Sequence, residues 1–325
     1  MTPAVPAAVS LHVWRVAPRA VPRALARMAL DRRRLRALPG VRFAKLLGTG
    51  TGDGFGPADA DPTRYAALIT WDDPDGPAGF DRTAPGRAWR ALADRQAREG
   101  QAHHESQAHR KSQDREGQAH HEGQERESQP GQDQSREVPG GDGRGGTAGA
   151  EPSGEAGAGA GRAAPAARGV SDREAEQSAR VDLLPLASRG LWSGRQPFGD
   201  PRGRPAAGGA VLALTRARLR PTRAVAFWRA VPPVAEDLRR ASGLLARFGV
   251  GEAPIGWQGT ISVWRSATDL VRFAYRQPEH RAVIERTARA GWYAEELFAR
   301  FAVLGVHGEP GVLGWSADGR EGQRG

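Results

Sequence analysis

The chain has 325 residues, a formal net charge of +10 and no cysteine. The missing thiols exclude disulfides, thiolate metal sites and cysteine nucleophiles. No uncharged run reaches the ~18 apolar residues of a membrane-crossing helix. The positive charge comes from 45 arginines and two lysines, Lys45 and Lys111, and asparagine is absent. Arginine spread along the chain in this way reads as compositional bias, so no nucleic-acid partner is expected. Met1–Ser10 lacks the basic and apolar regions of a signal peptide, which predicts a cytoplasmic protein.

In chain order, Val9–Val16 is a strand, and Leu25, Met28 and Leu35 mark one face of a helix from about Val21 to Leu38. Arg42–Leu47 is a strand, followed by a glycine-rich run, a strand at Tyr65–Trp71 and a helix at about Pro85–Arg95. The glycine run, Gly48–Gly56, has no G-x-G-x-x-G register and no following G-K-[ST], and it joins two strands. Nucleotide binding is therefore not expected. Its glycines would let a flat ligand approach the backbone.

From Ala97 to Gln177 there is no Phe, Trp, Tyr, Leu, Ile or Met, and EGQAHHE occurs twice, at Glu99–Glu105 and Glu116–Glu122. Such a segment buries too little apolar area to offset chain entropy, which predicts a disordered insert. It holds His103, His104, His109, His120 and His121, a set that either binds a transition metal loosely or is a repeat expansion in a surface loop. A strand at Val181–Ala187 follows, and then the loop LASRGLWSGRQPFGD, Leu186–Asp200. Its arginines suit bidentate contacts to carboxylates or a simple connector.

The order then repeats. Ala210–Leu219 is a strand, Thr222–Leu238 a helix broken by Pro232 and Pro233, Leu244–Phe248 and Thr260–Trp264 strands, Thr268–Ala290 a helix and Leu297–Val306 the last strand. Gly48 and Gly50 match Gly249 and Gly251, and Trp71 matches Trp264. Each half reads β-α-β-β-α-β, the ferredoxin-like unit. The expected fold class is α+β, with tandem ferredoxin-like halves forming a pseudo-dimeric α+β barrel interrupted by the long disordered insert. The first half takes residues 9–96 and 178–198, the insert 97–177, the second half 209–308, and a flexible tail 309–325.

His12 reads as a packed strand histidine and His307 as a solvated one. Pro278 can open a helical segment that places His280 in its first turn, in line with Val283, Ile284, Thr287 and Ala288. Burial and the helix field both keep such an imidazole neutral, the form a metal requires. A buried, hydrogen-bonded histidine has the same signature. Glu295 and Glu296 read as a polar strand edge, and no hydrolase constellation is present.

Four blocks together resemble a known family: RFAKLLGTGTGDGF (Arg42–Phe55), SRGLWSGRQPF (Ser188–Phe198), LTRARLRP (Leu214–Pro221) and HRAVIERTARAGWYAEELFARFAVLG (His280–Gly305). They resemble the spheroidene monooxygenases, carotenoid ketolases, over both halves; the insert departs from that pattern. The resemblance implies a haem-dependent oxidoreductase of carotenoid biosynthesis. Such an enzyme uses O2 and external electrons from ferredoxin to install a keto group at C-2 of an acyclic carotenoid by successive hydroxylations. It also implies that His280 ligates the haem iron, with Lys45, Arg189 and Arg195 as candidates to bind the propionates. Trp192, Trp292 and Phe55 are candidates for the substrate pocket, whereas Trp264 reads as core. A carotenoid substrate implies peripheral contact with the inner face of the membrane, for which the arginines of the first helix are candidates. A peroxidase-like haem enzyme and a non-catalytic haem- or lipid-binding barrel are the alternative readings.

Overall fold

A computed structural model describes residues 4–52, 59–94, 177–206, 208–223, 226–227, 229, 232–252, 257–276 and 292–315. The chain divides into two compact units, one of Met1–Gly100 with Glu174–Gly325 and one of Gln101–Arg173; all described residues belong to the first. Residues 97–176 of the insert, Phe55 and His280 lie outside the described residues.

Among the described residues there are eight strands: β1 Ala8–Arg15, β2 Val41–Gly50, β3 Ala60–Trp71, β4 Ser178–Gly190, β5 Val211–Leu219, β6 Leu244–Gly251, β7 Trp257–Trp264 and β8 Tyr293–Gly308. All neighbouring pairs are antiparallel, in the closed order β1-β3-β2-β6-β7-β5-β8-β4. The sequence β4-β1-β3-β2 recurs as β8-β5-β7-β6, so the two sets meet at β2–β6 and β8–β4. The β8–β4 seam pairs along the strands from Ala179↔Gly308 to Gly190↔Leu297. The β2–β6 seam has only Gly48↔Gly251, Thr49↔Val250 and Gly50↔Gly249. The glycines that coincide between the two halves in the sequence thus face one another. Gly50 is constrained on its other side as well, where a Cβ would meet the Asp59 carbonyl oxygen at 2.7 Å.

Alternation decides what enters the ring. Leu11 and Val13 of β1, Leu47 of β2, Leu212 and Leu214 of β5, Phe248 of β6 and Phe301 of β8 fill it together with Trp192 and Phe198. An eight-stranded barrel is narrow enough for side chains to pack solid. The tail expected from residue 309 is instead docked as far as Leu313. Pro310–Leu313 forms a turn of 3-10 helix with Val312 and Leu313 buried in the barrel core. Glu309 caps that turn through Gly311 N–H at 2.9 Å, and two apolar side chains with a cap outweigh the entropy of fixing so short a segment.

Helix α1, Val21–Arg36, and the helix over 84–94 cover the outer face of the first set. Trp14, Tyr65, Trp71, Phe80 and Trp89 pack between them and the sheet. The inward face of α1 holds Met28 and Leu35 as expected but not Leu25. Ala24, Asp31 and Leu35 are buried and Met28 is half-buried, whereas Leu25 is 56% exposed. The spacing of four, three and four along 24, 28, 31 and 35 defines the stripe, and Leu25 falls about 100° away from it. Buried Asp31 is held by Arg27 and Arg34 at 3.4 and 3.1 Å. On the second set, Trp264 is fully buried and packs with Leu238 and Phe273, as expected of a core residue.

His12 faces the helices from β1 and is 2% exposed. Its ring lies 4.2 Å from Phe80 and stacks on Trp14, and its Nε2 is 3.0 Å from Ser10 Oγ. Burial first, and the charge of Arg180 second, lower its pKa to about 3. It is the packed strand histidine the sequence predicts.

Candidate functional site

The loop after β4 makes the site. Trp192 and Arg195 pair through backbone bonds of 2.8 and 3.2 Å, with Ser193 (φ 55°) and Gly194 (φ 71°) between them. Two central residues at positive φ make the tight hairpin turn whose twist matches its flanks. Ser193 is the only non-glycine at positive φ among the described residues. The turn drives the Trp192 ring into the barrel, leaving it 1% exposed, and aims two amide N–H groups outward. These donate to Glu295 at 3.0 and 2.8 Å. A methyl added at Gly194 would meet nothing within 4 Å. Gly194→Ala is therefore expected to cost about 1 kcal/mol through backbone conformation alone, which urea unfolding would measure.

Four charged side chains, Lys45 of β2, Arg216 of β5, Glu295 of β8 and Glu252 just after β6, close around this turn. Arg216 continues the inward row Leu212, Leu214 of β5 and is 3% exposed. Its guanidinium bonds Glu295 and, at 3.2 Å, Glu252, which directly follows β6. Glu252 also accepts Lys45 Nζ and Trp192 Nε1, each at 2.5 Å. Lys45 donates to Ser193 Oγ at 2.7 Å as well. Burial by itself would raise the Glu295 carboxyl, but the Gly194 and Ser193 amides and Arg216 outweigh it, and its pKa falls below the ordinary value. Two cations balance two anions, and every carboxylate oxygen has a donor.

Beside this network is a cleft of about 410 Å3. It lies between Arg36 of α1, the stretch Arg42 to Lys45 of β2, and Ser193 and Arg195 of the turn. The short β2–β6 pairing explains it: β2 has no strand neighbour on that side before Gly48. Phe43 and Trp192 meet edge-to-face at 5.5 Å on the inner side, under the Lys45 ammonium. Arg42 is engaged by Asp72. Arg36 and Arg195 have no carboxylate partner among the described residues. Such a rim suits a ligand bearing carboxylate groups over an apolar body.

Of the site residues expected from the sequence, Lys45, Trp192 and Arg195 come together here. Arg189 lies instead on β4 with its guanidinium 4.5 Å from the Phe298 ring centre. Trp292 is buried against Phe227, ring centres 5.6 Å apart, just before β8. Among the described histidines, His12 is packed as above and His307 Nε2 is 2.9 Å from Asp182. Neither offers a free nitrogen beside the cleft. Glu252, Arg216 and Arg36 are additions from the structure. For Arg216 a signal existed, an arginine in phase with two inward leucines. Glu252 has none, because it follows a strand in an ordinary loop sequence. Glu296 is exposed, as expected of a polar edge, whereas Glu295 is a half-buried acceptor.

No family model matches the chain. Three curated relatives share sequence with it. All three are spheroidene monooxygenases. The protein from Rhodobacter capsulatus is 37% identical over 129 residues, 39% of this chain and 54% of the relative. That from Rubrivivax gelatinosus is 35% identical, covering 42% and 51%, and that from Cereibacter sphaeroides 33%, covering 42% of each. The chain thus spans about half the length of the curated relatives it matches. Among solved structures, an aldoxime dehydratase in complex with butyraldoxime aligns over 95% of this chain and 85% of its own, at 12% identity and a TM-score of 0.46.

Proposed function

We propose that this chain is a carotenoid ketolase of the spheroidene monooxygenase type, built as two ferredoxin-like halves closed into a pseudo-dimeric barrel. The observation that carries the reading is its 33–37% identity to three proteins of that name. The reaction would convert a C-2 methylene of an acyclic carotenoid to a ketone by two hydroxylations, each consuming one O2 and two electrons. The resulting gem-diol loses water. A ferredoxin is the proposed electron donor.

Haem is the proposed cofactor, and bound haem would supply the activation of O2. The described residues fit its periphery: Arg36 and Arg195 form a cationic rim suited to two propionates, beside Lys45, which is paired with Glu252. They would not hold its iron, a role the proposal assigns to His280. The protein's own task at the cleft is to hold and to dry. Phe43 is the large apolar side chain on the cleft's lining, and the Glu252–Arg216–Glu295 network fixes the buried Trp192 indole that packs behind it.

The test is expression in cells that accumulate spheroidene, with pigment analysis and an absorption spectrum of the purified, hemin-reconstituted protein. A new pigment whose mass gain corresponds to CH2 becoming C=O, with a Soret band that His280→Ala abolishes, is the expected result. Unchanged pigment with a normal Soret band would favour a haem carrier, and dye oxidation by hydrogen peroxide alone a peroxidase. A Soret band retained in His280→Ala would remove that residue as ligand.

A further inference from the structure

The outer face of α1 is left unused by the fold. Leu25 and Leu30 are 56% and 59% exposed, and Pro22, Ala26 and Ala29 are exposed with them. At about 100° per residue these five occupy an arc of roughly 140°. Exposed arginines flank it, Arg32 on one side and Arg23 and Arg34 on the other, and Arg33 and Arg36 continue the arc at the C-terminal end of the helix. The helix has a single acid, Asp31, which is buried and neutralised by Arg27 and Arg34. The exposed face is therefore apolar over residues 22–30 and cationic at its margins and over its last turn.

We propose that α1 docks this protein on an anionic lipid surface, lying parallel to it with Leu25 and Leu30 among the acyl chains. Charge complementarity selects the partner, since the arginine margins meet lipid phosphates while the apolar arc needs a medium without water. An acidic protein would satisfy the arginines but has no need of an apolar stripe. The face also adjoins the cleft, because Arg36 belongs to both. Docking there opens the cleft towards the bilayer, where a long apolar molecule resides. The proposal stands independently of the reaction, since its readout is binding to lipid.

The test is flotation of the full chain with phosphatidylcholine vesicles containing about one third phosphatidylglycerol, against phosphatidylcholine alone. Binding to the anionic vesicles that weakens with salt is expected. Arg23→Gln with Arg33→Gln should lower the partition coefficient about 30-fold, and Leu25→Gln with Leu30→Gln about tenfold. All four substituted side chains are exposed, so both pairs should melt as the parent does. Equal partition to the two vesicle types, or parental binding by both variants, would overturn it. So would loss of binding to an acidic ferredoxin in the arginine pair while its vesicle binding stays unchanged, which would assign the face to a protein.

Discussion

Arg216→Met is expected to lower the unfolding free energy by about 3 kcal/mol, the low end of the range for breaking a buried ion pair by removing one partner. Arg216 is 3% exposed and is the link between Glu252 and Glu295, which lie at the mouth of the barrel with side chains 12% and 11% exposed. Without the guanidinium both carboxylates remain partly desolvated with a donor missing. The loss is not larger because Glu252 keeps Lys45 and Trp192, and Glu295 keeps the amides of Ser193 and Gly194. Urea unfolding measures the change. A double-mutant cycle with Glu295→Gln should show a coupling above about 1 kcal/mol. The pH dependence follows from the direction of the Glu295 shift. Its contribution is complete above the ordinary carboxyl value of 4.5 and is lost as pH falls through the lower folded value. In Arg216→Met part of that acid-dependent loss disappears, because one of its causes is gone. A loss below about 1 kcal/mol would mean that the network is solvated.

The second large effect is in the acid limb of stability, and it comes from His12. The unfolded chain takes up a proton near pH 6.5, whereas the folded imidazole resists protonation down to about 3. The contribution of the neutral ring is therefore complete above pH 6.5 and declines as pH falls between those values. The slope from this group is about 1.4 kcal/mol per pH unit, so about 3 kcal/mol is lost by about pH 4.5. His12→Gln removes the titration while keeping a polar group for Ser10. Its stability should fall correspondingly less between pH 6.5 and 4.5 than that of the parent. Parallel pH profiles for the two proteins would show that the ring between Phe80 and Trp14 is protonated in the folded state.

The sequence by itself determined the doubled order of strands, the packed nature of His12 and Trp264, and the resemblance to spheroidene monooxygenases. These are properties of local period and composition, which survive without knowing what lies opposite. The matched glycines at 48, 50, 249 and 251 were visible as a coincidence, and only the closed ring showed that they pair with one another. Tertiary structure alone decided the site. Lys45, Trp192, Arg216, Glu252 and Glu295 are scattered over some 250 positions of the 325-residue chain, and alternation says which face a strand residue takes but not which strand end it meets. The same limit explains Leu25, whose apolar side chain fits a helix face in sequence but is turned to solvent by the packing of Ala24, Met28, Asp31 and Leu35. A buried aspartate costs free energy unless it is paired, and Arg27 and Arg34, one turn to either side, supply the pairing that sets the rotation of α1.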